Sequence, residues 1–142
     1  MQVFIVGSPL ETAQALDYRR LSKQIVECQQ IVNALNGAKA WQNHPCTLQY
    51  KNDVQWLLTY KGVLMTYRDN MMSQAEILNQ HALKITPLWH NQAYYDQMKR
   101  RLFTKNPEHY SQWKELGVSE INCYCVDGIW RYYKNGKLLN KI

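Results

Sequence analysis

Apolar positions along the chain recur mostly at helical spacing, and turn signals divide them into five helices followed by two short strands. Residues 1–6 are a short apolar run ended by Gly7-Ser8-Pro9. Ser8 followed by Glu11 is a capping-box pattern, and Pro9 suits a first helical position, where its missing N–H costs nothing. A long helix is therefore expected over 9–35. Its apolar stripe is Ala13, Leu16, Leu21, Ile25, Cys28, Val32 and Leu35, and Asn36-Gly37 supplies its stop. Residues 41–45 read as a turn. Asn52-Asp53 can cap a helix over 54–67, with Trp56, Leu57, Tyr60, Leu64 and Met65 as candidates for burial. Further helices are expected over 73–82 and 92–103, separated by an irregular stretch at 85–91 around Pro87, and Pro107 opens a fifth that ends at Gly117. After Gly117 the period changes. Residues 121–126 are strand-like, Asp127-Gly128 is a two-residue hairpin signal, 129–133 returns, and Asn135-Gly136 is a second turn. The expected fold is mainly α, a compact single-domain helical bundle over residues 1–142 with a small C-terminal β-hairpin.

Composition narrows the class. The chain has 142 residues and is 46% apolar, enough for one real core without disulfide or metal support. No stretch approaches the roughly 18 apolar residues of a membrane span. The apolar start lacks a basic n-region, so no secretory leader is expected and the default compartment is the cytoplasm. The four cysteines, Cys28, Cys46, Cys123 and Cys125, form neither a C-x-x-C pair nor a zinc-site spacing with histidine. They read as free buried thiols, and no metal is expected. The chain has no Gly-rich phosphate loop, no G-x-S-x-G and no Cys-His nucleophile pattern, which argues against nucleotide-dependent and Ser/Cys-hydrolase chemistry.

Charge adds a partner class. Lys and Arg number 17 against 11 acids, for a net +6. Such a balance suits nucleic acid, and equally a merely soluble basic protein. From Lys99 onward nine basic residues (Lys99, Arg100, Arg101, Lys105, Lys114, Arg131, Lys134, Lys137, Lys141) face four acids (Glu108, Glu115, Glu120, Asp127). Arg101 and Lys105 are four apart on an expected helix and share a face, a spacing that can hold phosphate oxygens or simply make a basic surface. Trp130-Arg131-Tyr132-Tyr133-Lys134 interleaves rings that stack on bases with cations that track a backbone. A hairpin burying one face, with Trp130 and Tyr132 inward, fits the same pattern. On the first long helix, Arg20, Lys23, Glu27 and Gln30 form one polar stripe at about 100° per residue. That stripe is either an ionised carboxylate set among cations or a solvated face with an ordinary Lys23–Glu27 pair. His44, between Trp41 and Pro45, is open to a structural role or to hydrogen-bond donation in a site.

Three blocks together carry a resemblance. They are Leu21-Ser22-Lys23-Gln24-Ile25-Val26-Glu27-Cys28-Gln29-Gln30-Ile31, then Trp41-Gln42-Asn43-His44-Pro45, then Lys99-Arg100-Arg101-Leu102-Phe103-Thr104-Lys105 with Pro107-Glu108-His109-Tyr110. They resemble the pyrimidine-dimer DNA glycosylase family, which includes the phage-type endonuclease V, and the aromatic-basic segment 130–134 is similar to that enzyme's tail. The resemblance implies a helical fold with the N-terminus packed against the first long helix. It implies a DNA-repair glycosylase with abasic-site lyase activity, acting on double-stranded DNA with damaged pyrimidines, as a monomer and without a cofactor. It implies catalysis by the α-amine of the first residue, here Met1 because the bulky Gln2 should leave it in place, supported by a first-helix glutamate, carried onto Glu27. Cationic phosphate contacts carry over to Arg101 and Lys105. The residue before the glutamate, an arginine in the phage-type enzyme, is Val26 here, with Arg20 or Lys23 as its replacement. His44, Trp130, Arg131, Tyr132 and Lys134 complete the expected DNA-contacting set. Alternatives within reach of the same residues are a glycosylase/lyase for another modified pyrimidine or an abasic site, and a non-catalytic binder of distorted DNA.

Overall fold

A computed structural model describes residues 1–139; Lys141, counted above among the C-terminal cations, lies outside them. The chain divides into two units, Met1–Leu88 and the part from Trp89 onward. The fold is mainly helical, with one small antiparallel sheet near the C-terminus. No helix among the described residues is long and apolar enough to cross a membrane.

The first unit holds α1 (Pro9–Ala15), α2 (Tyr18–Leu35), α3 (Pro45–Gln49), α4 (Val54–Arg68) and α5 (Met72–Lys84). The capping box forms as the sequence predicts. The Ser8 hydroxyl accepts the Glu11 N–H at 3.1 Å, and the Glu11 carboxylate accepts the Ser8 N–H at 3.2 Å. The single helix expected over 9–35 is instead two. Leu16 turns extended, and Asp17 starts a new helix by accepting the Arg20 N–H at 3.3 Å. The apolar stripe runs across this break without interruption, because Leu16 and Leu21 are both buried, and so periodicity alone hides it. The expected turn at 41–45 is followed by a short helix the sequence reading lacks, α3, which has Pro45 at its first position. α4 packs on α1, α2 and α5, and the stacked rings of Tyr50, Trp56 and Tyr60 lie at its start, with centroids 5.6 and 5.0 Å apart.

Residues 2–6 are the least regular part of this unit and among the most buried. Val3 and Ile5 have no exposed surface, so each contributes roughly 1.5–3 kcal/mol of apolar burial. A buried extended segment outside any sheet needs other partners for its backbone. Helix side chains provide them. Gln24 on α2 accepts the Phe4 N–H and donates to the Gln2 carbonyl at 3.0 Å, in the manner of a neighbouring strand. The Tyr60 hydroxyl donates to the Phe4 carbonyl, and the Thr12 hydroxyl accepts the Val6 N–H at 3.0 Å. The N-terminal segment is thus laid against α2, as expected.

The second unit holds α6 (Gln92–Lys105), a 3₁₀ turn (Ser111–Leu116) where a fifth helix was expected, and β1 (Asn122–Val126), β2 (Ile129–Lys134) and β3 (Lys137–Leu138). The strands lie in the order β1-β2-β3, with Cys123 opposite Tyr132 and Cys125 opposite Trp130. Both hairpin turns have positive φ at each central residue: 53° and 78° at Asp127 and Gly128, 52° and 76° at Asn135 and Gly136. That is the backbone an Asp-Gly or Asn-Gly loop supplies most readily. The second turn adds β3, which extends the expected hairpin to three strands.

His90 lies among rings in this unit, 4.4 Å from Trp89 and stacked 5.8 Å from Tyr94. Burial pushes its pKa down to about 3. The unfolded chain takes up a proton near the ordinary value of 6.5, while the folded chain does not until far lower pH. The stabilisation is therefore complete above pH 6.5 and is lost as pH falls toward 3, by up to ~1.4 kcal/mol per pH unit. Thermal melts between pH 7 and 4 should show a steeper fall for the wild type than for His90→Phe. Equal slopes would mean that His90 is not held neutral.

Candidate active site

Glu27 lies in the middle of α2, and its side chain is only 15% exposed. Its two oxygens have different partners. Oε2 accepts the Gln2 backbone N–H at 3.4 Å, and Oε1 lies 3.9 Å from the Lys23 ammonium, which is 72% exposed. An exposed pair of that length adds little stability. The more informative contact is with Gln2. Successive backbone nitrogens are under about 4 Å apart, so the Met1 amine is within roughly 7 Å of the Glu27 carboxylate. Gln24, one turn before Glu27, fixes this arrangement through the next residues of the same segment.

Three more side chains surround this point. The imidazole of His44 caps α3, its Nδ1 accepting the Cys46 N–H at 3.0 Å. Burial lowers its pKa, and the positive α-amino terminus lowers it further. A neutral His44 with Nδ1 as acceptor carries its proton on Nε2, so it is a hydrogen-bond donor there. Cys28 and Cys46 are fully buried and in no disulfide. Burial holds Cys28 well above the ordinary thiol range, and Cys46 and Glu27 raise it further while Lys61 opposes them. Cys46 is pushed up to about 12, chiefly by burial, with Gln49, the Val3 backbone and the α-amine opposing. Neither thiol is a thiolate at neutral pH, so neither serves as a nucleophile. The local chemistry is thus an amine, a carboxylate and a neutral imidazole, set among inert thiols.

Arg20 has a different occupation from the one its stripe suggested. Its guanidinium is 3.2 Å from Asp17, the residue that caps the same helix. It lies two turns, about 10 Å, from Glu27 along the axis, and Lys23 is the stripe cation that approaches the carboxylate. Gln24 and Tyr60 were missed as positioning residues. The signal for Gln24 was available: it is a polar residue on the buried face between Leu21 and Cys28, and it is 2% exposed.

The second unit holds the other sequence candidates. Arg101 is half-buried beside β1. Burial lowers its pKa, while Tyr124, Glu120 and Cys123 oppose the shift. Its Nε is buried with no hydrogen-bond partner among the described residues, so much of this guanidinium faces protein. Lys105 is exposed in the last turn of α6. On β2, Arg131 and Lys134 are exposed, while Trp130 and Tyr132 are half-buried; by strand alternation Lys134 shares the face of the two rings and Arg131 lies on the other. The Trp130 ring lies 5.5 Å from Tyr94. With Gln97, Arg100 and Cys123, those two residues line a cavity of about 410 Å³. Trp130 and Tyr132 thus both line this cavity, as the reading with those two rings inward expects. No group of three or more His, Cys, Asp or Glu side chains among the described residues is arranged to hold a metal ion.

Comparison with known proteins places the first unit. Searches of curated proteins and of solved structures returned no match. A family model described as pyrimidine dimer DNA glycosylase matches residues 1–68, the stretch from the buried N-terminal segment to the end of α4. That stretch contains Gln24, Glu27, His44, Cys46 and Tyr60, whereas Arg101, Lys105 and the sheet lie beyond it. Residues 1–68, just under half of the chain, thus resemble the pyrimidine dimer DNA glycosylase family.

Proposed function

We propose that the protein excises pyrimidine dimers from double-stranded DNA and then cuts the strand as an abasic-site lyase, with the Met1 α-amine as nucleophile and Glu27 as its proton acceptor. The observation that carries this reading is the Gln2 N–H bonded to the Glu27 carboxylate at 3.4 Å, which keeps the preceding amine beside that carboxylate. An α-amine suits the task, since it ordinarily loses its proton near pH ~8 where a lysine needs ~10.4.

The steps balance as follows. The neutral amine forms a bond to C1′ and the bond from C1′ to the base breaks, the base leaving with its electron pair and taking a proton. Glu27 accepts the proton that the new C–N bond releases. The C1′–O4′ bond then opens, O4′ takes a proton, and C1′ becomes an iminium. Loss of the C2′ proton expels the 3′ phosphate, and water hydrolyses the imine to free the amine. Glu27 and the His44 Nε2–H are the groups at hand to move these protons and to steady the opening sugar. Arg101, Lys105, Arg131 and Lys134 supply phosphate contacts, and Trp130 and Tyr132 supply a stacking surface. No metal or organic cofactor enters the scheme.

The test is borohydride reduction on a duplex with one abasic site. An intact amine should give a covalent protein–DNA adduct, and acetylation of the N-terminus should abolish it. A persistent adduct after acetylation would move the nucleophile to a lysine. The absence of any adduct, or of cutting on a dimer-containing duplex, would leave a non-catalytic binder of distorted DNA.

A further inference from the structure

The loop between α2 and α3 holds one feature that the proposed chemistry does not use. Residues 36–43 are all exposed, and Trp41 is the single aromatic among them. The residue is 46% exposed, in a protein that buries Trp56 almost completely. Its backbone is in the left-handed region, with φ at 64°, a conformation that a large side chain adopts only when its surroundings impose it. The same loop turns at Gly37, φ 108°, where nothing would meet a Cβ. Glycine thus serves where only the turn matters, and position 41 keeps a tryptophan in spite of the strain.

Both the backbone and the ring of Trp41 meet His44. The His44 N–H donates to the Trp41 carbonyl at 3.1 Å. The indole meets the His44 ring edge-on, with centroids 5.7 Å apart and planes at 79°. His44 is itself anchored through the Cys46 N–H and lies close enough to the α-amino terminus for that charge to shift its pKa. A pre-oriented indole therefore stands one ring away from the amine and Glu27, with part of its surface in water and the exposed Lys39 two residues before it. A nucleobase fits that combination: flat, apolar on its faces, and joined to a phosphate that a nearby cation attracts.

We propose that Trp41 is a specificity-determining residue that stacks on the base left without a neighbour at a damaged step of duplex DNA. The inference rests on the glycosylase reading for its DNA partner but not on the amine chemistry. At an intact step each base is already stacked and the indole gains nothing. At an unstacked one it replaces the lost neighbour. A contact of this kind confers discrimination between damaged and intact DNA without reading sequence.

The experiment uses the full chain and a duplex carrying a tetrahydrofuran abasic analogue, which has no base to lose and cannot form an imine. A 2-aminopurine beside the analogue reports stacking, since its emission falls when it stacks. Wild-type protein should quench the probe. Trp41→Ala should lose the quench and bind this duplex about 5- to 150-fold more weakly, with affinity for the undamaged duplex unchanged. Trp41→Phe should retain most of both. Trp41→Leu keeps apolar bulk against His44 but has no aromatic face, so it should behave like Trp41→Ala. The proposal is overturned if Trp41→Leu retains the quench and the discrimination, or if the alanine and leucine variants weaken binding to both duplexes alike. Failure of the parent reading shows separately, as wild-type protein that quenches the probe yet cuts no dimer-containing duplex and traps no adduct.

Discussion

Glu27→Gln should lower strand cutting by about 10²–10⁴-fold, the usual contribution of a positioned acid or base, while binding to damaged duplex stays within a few-fold. The choice of glutamine matters. Its amide oxygen still accepts the Gln2 N–H that Glu27 Oε2 now holds at 3.4 Å, so the N-terminal segment stays docked. What is removed is the capacity to take a proton from the attacking amine and to oppose positive charge on the sugar. The Lys23 pair is lost as well, but with Lys23 72% exposed its loss is minor. Single-turnover cutting of a dimer-containing oligonucleotide, beside a gel-shift titration on the same DNA, separates the two effects. Normal cutting by the glutamine variant would make Glu27 an ordinary surface carboxylate and end the proposed mechanism.

Gln24→Leu should be the most destabilising single change near the site. Gln24 is 2% exposed, and its amide serves the Phe4 N–H and the Gln2 carbonyl together. Leucine fills similar space and serves neither. Each backbone group left dry and unbonded costs about 1–3 kcal/mol, so the loss is about 2–6 kcal/mol. For a chain of this size, with a shift of ~2–4 °C per kcal/mol, melting should fall by on the order of 10 °C. Tyr60 still donates to the Phe4 carbonyl, so the segment is loosened and not released. Adduct formation on abasic DNA should fall with it, even at temperatures where the variant remains folded, because the amine is no longer held at Glu27. A circular-dichroism melt at the wild-type temperature would show that residues 2–4 do not depend on this amide.

The two substitutions divide the work of α2 between neighbouring faces. Glu27, on the half-buried side, accepts the Gln2 N–H beside the proposed nucleophile, and Gln24, on the buried side, holds the segment that carries it. The position of an otherwise irregular N-terminus is thereby tied to a rigid helix, which is what a nucleophile on a chain end requires if it is to meet a sugar carbon reproducibly.

Much of this was legible before any coordinates. The capping box at Ser8 and Glu11, the helices from Val54 and Gln92, and the turns at Asp127-Gly128 and Asn135-Gly136 all form where local pattern puts them. Each is decided by residues within a few positions of one another, through caps, periodicity and positive-φ preferences, so the linear chain contains the information. The resemblance around Glu27 likewise needed only adjacent residues, and the family match covers the same stretch.

Tertiary structure decided the rest. The break at Leu16-Asp17 is invisible to periodicity, because the buried stripe continues through it and only the direction of the chain changes. The run at residues 1–6 could have been a strand. It has no sheet to join in its own unit, and side chains from positions 12, 24 and 60 complete its backbone instead. Arg20 and Lys23 share a stripe, yet the break makes Asp17 a helix cap and so draws Arg20 to it, leaving Lys23 for the carboxylate. The sequence by itself determined the helices, the hairpin turns and the candidate carboxylate. Which groups meet that carboxylate depended on contacts 25 residues apart in the chain, and such contacts exist only once the core has closed around the N-terminal segment.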